Sequence, residues 1–134
     1  LSASVGPGGY KAYGALPGGT LHDGTIAPYA ALSSIVFTPE LSINAIKFFF
    51  NNYGENLYGN FGFKGAFNLD KSWWADEYIG IDQGISFLML ENFLNDGIIW
   101  KKFMGLEAVK RWLELTKLQA AESEPVSLNS SSEV

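Results

Sequence analysis

The chain contains no cysteine, which excludes disulfides, zinc–thiolate sites and a thiolate nucleophile. It has one arginine, Arg111, so bidentate recognition of phosphates or carboxylates has almost nothing to work with. His22 is the only histidine, and with no second ligand at usable spacing it makes no metal site, so no metal dependence is expected. The net charge of −5, without any basic stripe, argues against nucleic acid as a partner. Long apolar runs are also missing: Asn51, Asn52, Asp96 and Lys101 interrupt them, and no membrane span is expected. Leu1 to Val5 lack the basic start and apolar centre of a signal peptide, so any export signal is expected upstream. The glycine-rich turns at 6–9 and 17–19 lack the strand–loop–helix setting and the lysine of a phosphate loop. No cofactor is expected.

Aromatic residues, in contrast, are plentiful. They make up 15% of a 134-residue chain, with ten Phe, six Tyr and four Trp. That is more aromatic surface than a small domain easily buries, so part of it should face a ligand or a missing portion of the protein. One pattern occurs twice. His22-Asp23-Gly24-Thr25 precedes the apolar run Ile26 to Phe37, and Ile81-Asp82-Gln83-Gly84 precedes Ile85 to Leu94. A helix that is apolar all round must be buried in a larger assembly. Carboxylates at the mouth of such a helix point to a pocket.

The opening residues 1–24 read as an ordered glycine- and proline-rich loop. A first helix is expected over 26–37, with Thr25 as cap and Pro28 in the first turn. Thr38-Pro39 starts a second, amphipathic helix that Gly54 should end near Tyr53. Residues 54–81 form a long aromatic loop, with room for a β-ribbon between Gly59 and Phe67. A third helix, 82–95, is apolar on nearly every side apart from Glu91. A short helical piece carries Trp100, read as core. Residues 106–118 predict an amphipathic helix with Glu107 and Arg111 paired on its outer face and Trp112 inside. Residues 119–134 read as a disordered polar tail. Alternating buried and amphipathic helices are what two concentric helical layers require. The expected class is therefore all-α, a portion of an α/α toroid with inner and outer helices and long aromatic loops. A self-contained four-helix bundle would show four similar stripes instead.

Several motifs carry a resemblance. Gly6-Pro7-Gly8-Gly9-Tyr10, His22 through Pro28 and Phe37-Thr38-Pro39-Glu40 resemble successive motifs of the glycoamylase-like family. So do Tyr58-Gly59 through Phe63, Ala66-Phe67-Asn68, Gly80 through Gly84, Glu91-Asn92, Ile98 through Trp100, and Phe103-Met104. The matches run in order over roughly residues 6–118, leaving 119–134 outside the domain. The resemblance implies an (α/α)6 barrel in a bacterial, periplasmic or secreted setting, and hydrolysis of a glucan. The substrate it implies is β-1,2-glucan. This chain matches only the carboxy-terminal portion of that pattern, so its remaining partner is expected to be the upstream remainder of the barrel. The alternative is a non-catalytic carbohydrate-binding or regulatory helical domain of a glucan-synthesising enzyme.

Glycoside hydrolysis takes two carboxyl groups, about 5 Å apart for retention or about 6.5–9.5 Å for inversion. Asp82 and Asp23 are the catalytic candidates, since a carboxylate at a helix start stays ionised in the field of the helix dipole. An aspartate there also serves as a plain cap. Glu91, among apolar neighbours, is a candidate acid if desolvated, or a simple hydrogen-bond acceptor. His22, Lys11 and Gln83 are placed to meet sugar hydroxyls. Tyr10, Phe67, Trp73, Trp74 and Tyr78 are candidate stacking surfaces for an oligo- or polysaccharide, with core packing as the competing role.

Overall fold

Proline marks the start of each of the first two helices. The computed structural model describes residues 3–13, 15–16, 19–20 and 23–118, with side chains for 5–10 and 23–118. Helix α1 spans Pro28–Ser33 and α2 spans Pro39–Leu57, each with its proline in the first turn, where the missing N–H costs nothing. Helix α1 is much shorter than the expected 26–37, and its N-cap is Ala27, not Thr25. Two adjacent serines explain the early stop. The hydroxyls of Ser33 and Ser34 both donate to the Ala30 carbonyl, at 3.3 and 2.7 Å. Such local bonds compete with the helical ladder, and the chain passes into turns over 34–37. Thr38 then takes the non-helical backbone that a residue before proline prefers. Helix α2 runs past Gly54 and closes at Tyr58, whose N–H donates to the Gly54 carbonyl. A glycine inside a helix costs about 1 kcal/mol, and the extra turn buries Leu57 completely.

The segment expected as loop at the amino terminus is strand-forming. Strands β1 (Ala3–Gly6) and β2 (Gly9–Tyr13) pair antiparallel with a bulge between Ala3 and Val5, and β3 (Ala15–Leu16) pairs with β4 (Gly19–Thr20). The long aromatic loop folds into two ribbons. Strand β5 (Tyr58–Gly59) pairs with β6 (Gly62–Phe63), and β7 (Phe67–Asn68) with β8 (Trp73–Trp74). The class is thus mostly helical with short strands, rather than all-α.

Ile26 extends the second ribbon. It exchanges two backbone hydrogen bonds with Phe67, at 2.8 and 2.9 Å. Successive side chains in extended backbone point to opposite sides, and here that alternation fills two cores. Ile26, Phe67 and Trp74 go to one side with Leu57, Phe63, Phe49 and Tyr53. Ala27, Ala66, Trp73 and Ala75 go to the other with Val5, Tyr29 and Ile79. Gly65 admits this closeness: a Cβ there would lie 2.9 Å from Val5 Cγ1.

Helix α3, Gly80–Leu94, begins two residues earlier than expected and packs on α1. Its burial is inverted relative to its hydropathy. Asp82, Ser86 and Asn92 are its buried residues, whereas Ile81, Phe87 and Leu94 are 73, 65 and 65% exposed. Asn92 has a clear structural task. Its Oδ1 accepts the N–H groups of Ile99 and Trp100, at 2.9 and 3.2 Å, and so caps helix α4 (Ile98–Met104). The Gly97 N–H closes the turn on the Asn92 carbonyl at 2.7 Å.

The chain divides into two units, Leu1–Trp100 and Lys101–Val134. In the second, α5 spans Glu107–Thr116 and lies beside an apolar hollow of about 400 Å³ lined by Phe103, Met104, Val109 and Trp112. Glu107 pairs with Lys110, at 2.7 Å, and not with Arg111, which meets Glu114 at 3.4 Å. Trp100 and Trp112 are exposed, not core. The expected tail, 119–134, lies outside the described residues. Replacing Asn92 with alanine strands two N–H donors at the start of α4, at a cost of about 1–3 kcal/mol. Thermal unfolding of the Asn92→Ala protein should show a lower midpoint, with Asn92→Asp recovering most of the loss.

Candidate functional site

The two Asp-containing motifs look alike in sequence but fold differently. Asp23 lies in a turn ahead of α1, and it is not the helix cap. Its Oδ1 accepts both the N–H of Thr25, at 3.1 Å, and the Thr25 hydroxyl, at 2.6 Å. Its Oδ2 accepts from Lys71 Nζ at 2.6 Å. Asn68, fully buried, fastens this turn to the β7–β8 ribbon. Its Nδ2 donates to the Asp23 carbonyl at 2.8 Å and to Thr25 Oγ1 at 3.1 Å. Its Oδ1 accepts the Lys71 N–H at 3.0 Å. Gly24 sits at φ +86°, and a Cβ on it would come within 2.7 Å of Asp70 Oδ2, so only glycine fits.

The hydrogen bond from Lys71, followed by those from Thr25, holds the Asp23 carboxyl well below the usual carboxylate range. These partners favour its ionised form, in which it accepts hydrogen bonds. An ion pair and a turn supply this stabilisation, not a helix dipole.

Asp82 is the third residue of α3, inside its first turn, and is 2% exposed. The Ser86 hydroxyl donates to its carbonyl at 2.7 Å. Gln83 beside it uses Nε2 to donate to the Phe63 carbonyl at 2.7 Å, tying α3 to β6. A cavity of about 500 Å³ opens between α2, α3 and the β5–β6 ribbon, lined by Phe50, Phe63, Phe87 and Leu90 with Gln83 and Ser86. Neither aspartate lines it, so the expected hollow shared by Asp23 and Asp82 is not this cavity.

The other candidates separate. Phe67 is core, 1% exposed, with Trp74 stacked on it at 5.4 Å and Phe49 and Tyr53 around it. No ring face of Phe67 is left for a sugar, which corrects its reading as a stacking surface. Trp74 gives one face to Phe67, and Trp73 packs into the opposite core; both keep part of their surface open. Tyr78 is partly open, edge-on to the exposed Phe61 at 5.3 Å. Tyr10, on β2, is 76% exposed. Glu91 is partly exposed and accepts from Asn95 Nδ2 at 2.9 Å. His22 and the side chain of Lys11 lie outside the described residues. The sequence reading missed Asn68, Asp70 and Lys71. The only signal for them was three polar residues, Asn68, Asp70 and Lys71, close together inside an otherwise aromatic stretch.

Helices α1 and α3 pack together, with a buried carboxylate on α3. The chain belongs to the Glycoamylase family, described as Putative glucoamylase, whose sequence model matches residues 1–107. Among solved structures it is similar to a putative glucoamylase from Bacteroides uniformis, with 44% identity and a TM-score of 0.77 over 85% of this chain and 26% of that one. It is also similar to the endo-beta-1,2-glucanase from Chitinophaga pinensis in complex with sophorotriose and glucose. That match has 37% identity and a TM-score of 0.77, over 85% and 27% of the two chains. An exo beta-1,2-glucooligosaccharide sophorohydrolase (non-reducing end) from Parabacteroides distasonis is 34% identical over 92 residues, 69% of this chain and 13% of that protein. The chain therefore spans about a quarter of the length of its structural relatives and less of the curated one.

The pairing of Asp23 with Lys71 has a consequence for stability. A carboxylate whose folded pKa is depressed stabilises the fold above its unfolded value, near pH 4, and that contribution fades as pH falls. Melting midpoints of wild type and Asp23→Asn should differ most near neutrality and converge on acidification. A difference that stays constant down to about pH 3 would contradict this assignment.

Proposed function

We propose that this chain is part of a glycoside hydrolase acting on β-1,2-glucan. Its helices form a portion of an α/α toroid, the carboxy-terminal portion, whose other helix pairs cover the apolar surface left open here. The observation that carries this reading is the inversion of α3: a helix that buries Asp82, Ser86 and Asn92 while presenting Ile81, Phe87 and Leu94 is an inner member of a larger ring. The relatives named for action on β-1,2-linked glucans support the substrate class.

Within that ring Asp82 is the first candidate for a catalytic carboxylate, buried and held on a rigid helix. Asp23 is the second, as an ionised group that binds or activates but does not protonate the leaving oxygen. A general acid would then come from outside the described residues. Gln83, Tyr10, Trp73, Trp74 and Tyr78 are candidates for holding the sugar, together with His22 and Lys11; Glu91 is kept as a binding group.

The test uses the complete protein with linear β-1,2-glucan, following release of oligosaccharides. Asp82→Asn, which keeps size and shape, should lower kcat by about 10²–10⁴ if Asp82 transfers a proton or activates water. Its melting profile should show the protein still folded. Undiminished turnover would reject Asp82 as catalytic. Glucan binding without hydrolysis by wild type would replace the enzyme reading with that of a carbohydrate-binding domain.

A further inference from the structure

Lys71 does more at Asp23 than a surface ion pair does. An ionised carboxylate offers about four acceptor positions. Among the described residues three are used: two on Oδ1 by Thr25 and one on Oδ2 by Lys71. The remaining position is on Oδ2, next to an ammonium that keeps further donors. Both partners are anchored to the same buried amide, since Asn68 binds the Asp23 carbonyl on one side and the Lys71 N–H on the other. Exposed pairs contribute little to stability because two long side chains must be ordered to form them. Here the backbone at both ends is already fixed, although the side chains are 47 and 25% exposed.

We infer that Lys71 is the positioning residue of Asp23: from the β7–β8 turn it holds Oδ2 so that the open acceptor position faces a sugar hydroxyl. The inference rests on the reading of Asp23 as a substrate-facing carboxylate. Thr25 alone would not suffice, because both of its donors meet the same oxygen and leave Oδ2 undirected. Among the described residues, the charged groups facing this turn are Lys71 and Asp70, whose Oδ2 would lie 2.7 Å from a Cβ on Gly24. Removing Lys71 leaves Asp70 at this turn without the cation that pairs with Asp23. Asp23 then loses both its direction and its protection from protonation.

The experiment compares Lys71→Met, Lys71→Arg and Asp23→Asn in the complete protein, with linear β-1,2-glucan as substrate. kcat and KM are measured from about pH 7 down to about pH 4, the ordinary carboxylate range, and folding is checked by circular dichroism. Lys71→Met should lose about ten- to a hundredfold in kcat/KM near neutrality, the scale of a misplaced group. The deficit should deepen as pH falls, and Lys71→Arg should restore both the rate and the flat ratio to wild type. Wild-type kinetics in Lys71→Met would overturn the proposal. So would a deficit that is equal at every pH and shared by Lys71→Arg, since that is what a purely structural lysine gives. Should Lys71→Met fail to fold, Lys71→Gln is read by the same criteria. Full activity in Asp23→Asn is a different failure, because it removes the substrate-facing role of Asp23 on which the inference stands.

Discussion

The two hydrogen bonds between Ile26 and Phe67 organise the first unit. They place the Asp23–Ala27 segment alongside the β7–β8 ribbon, and the strict alternation of extended backbone then assigns every neighbour to a side. Ile26, Phe67 and Trp74 must share one core because they are in register, and Ala27, Ala66 and Trp73 must share the other. The same pairing brings Asn68 and Lys71 to Asp23 across a sequence separation of 45 and 48 residues. A slip of one residue would send Phe67 to the alanine side and leave Asn68 facing the aromatic cluster. The position of the candidate carboxylate is thus a by-product of how two small cores are filled.

Helix α3 poses the opposite situation, in which hydropathy and burial disagree. Its buried polar residues are individually accounted for: Ser86 bonds back to the Asp82 carbonyl, and Asn92 caps α4. Among the described residues the apolar side chains Ile81, Phe87 and Leu94 are largely uncovered. An exposed apolar face is a surface suited to burial against something else. The coverage of the structural relatives, about a quarter of each, agrees in scale with a missing majority.

Local signals in the sequence were readable and long-range ones were not. Thr38-Pro39 announced α2, and the apolar density of residues 85–94 announced α3, because both depend on neighbours a turn away. The six-residue length of α1 escaped notice because Ser33 and Ser34 compete for one carbonyl only in the folded geometry. Strands of two residues carry no periodicity at all, so the ribbons within 58–74 left only their aromatics as a trace. Of the candidate stacking rings Phe67 belongs to the core, where it stacks on Trp74. Hydropathy counted the apolar residues of α3 correctly but could not say which would be covered. Lys71 was invisible as a partner of Asp23, because nothing in a charge 48 positions away identifies its mate.

Two carboxylates in unlike surroundings are what acid–base chemistry on a sugar requires. Asp23 is partly exposed and paired with a cation, which favours its charged form. Asp82 is enclosed in the first turn of a helix whose neighbours on the buried side are polar. Enclosure places it where water can be excluded, and a rigid helix places it reproducibly. If the ring closes over α3, it closes over Asp82 and its apolar neighbours together. The division between a carboxylate enclosed on a helix and an ion-paired one in a turn follows from the elements that carry them.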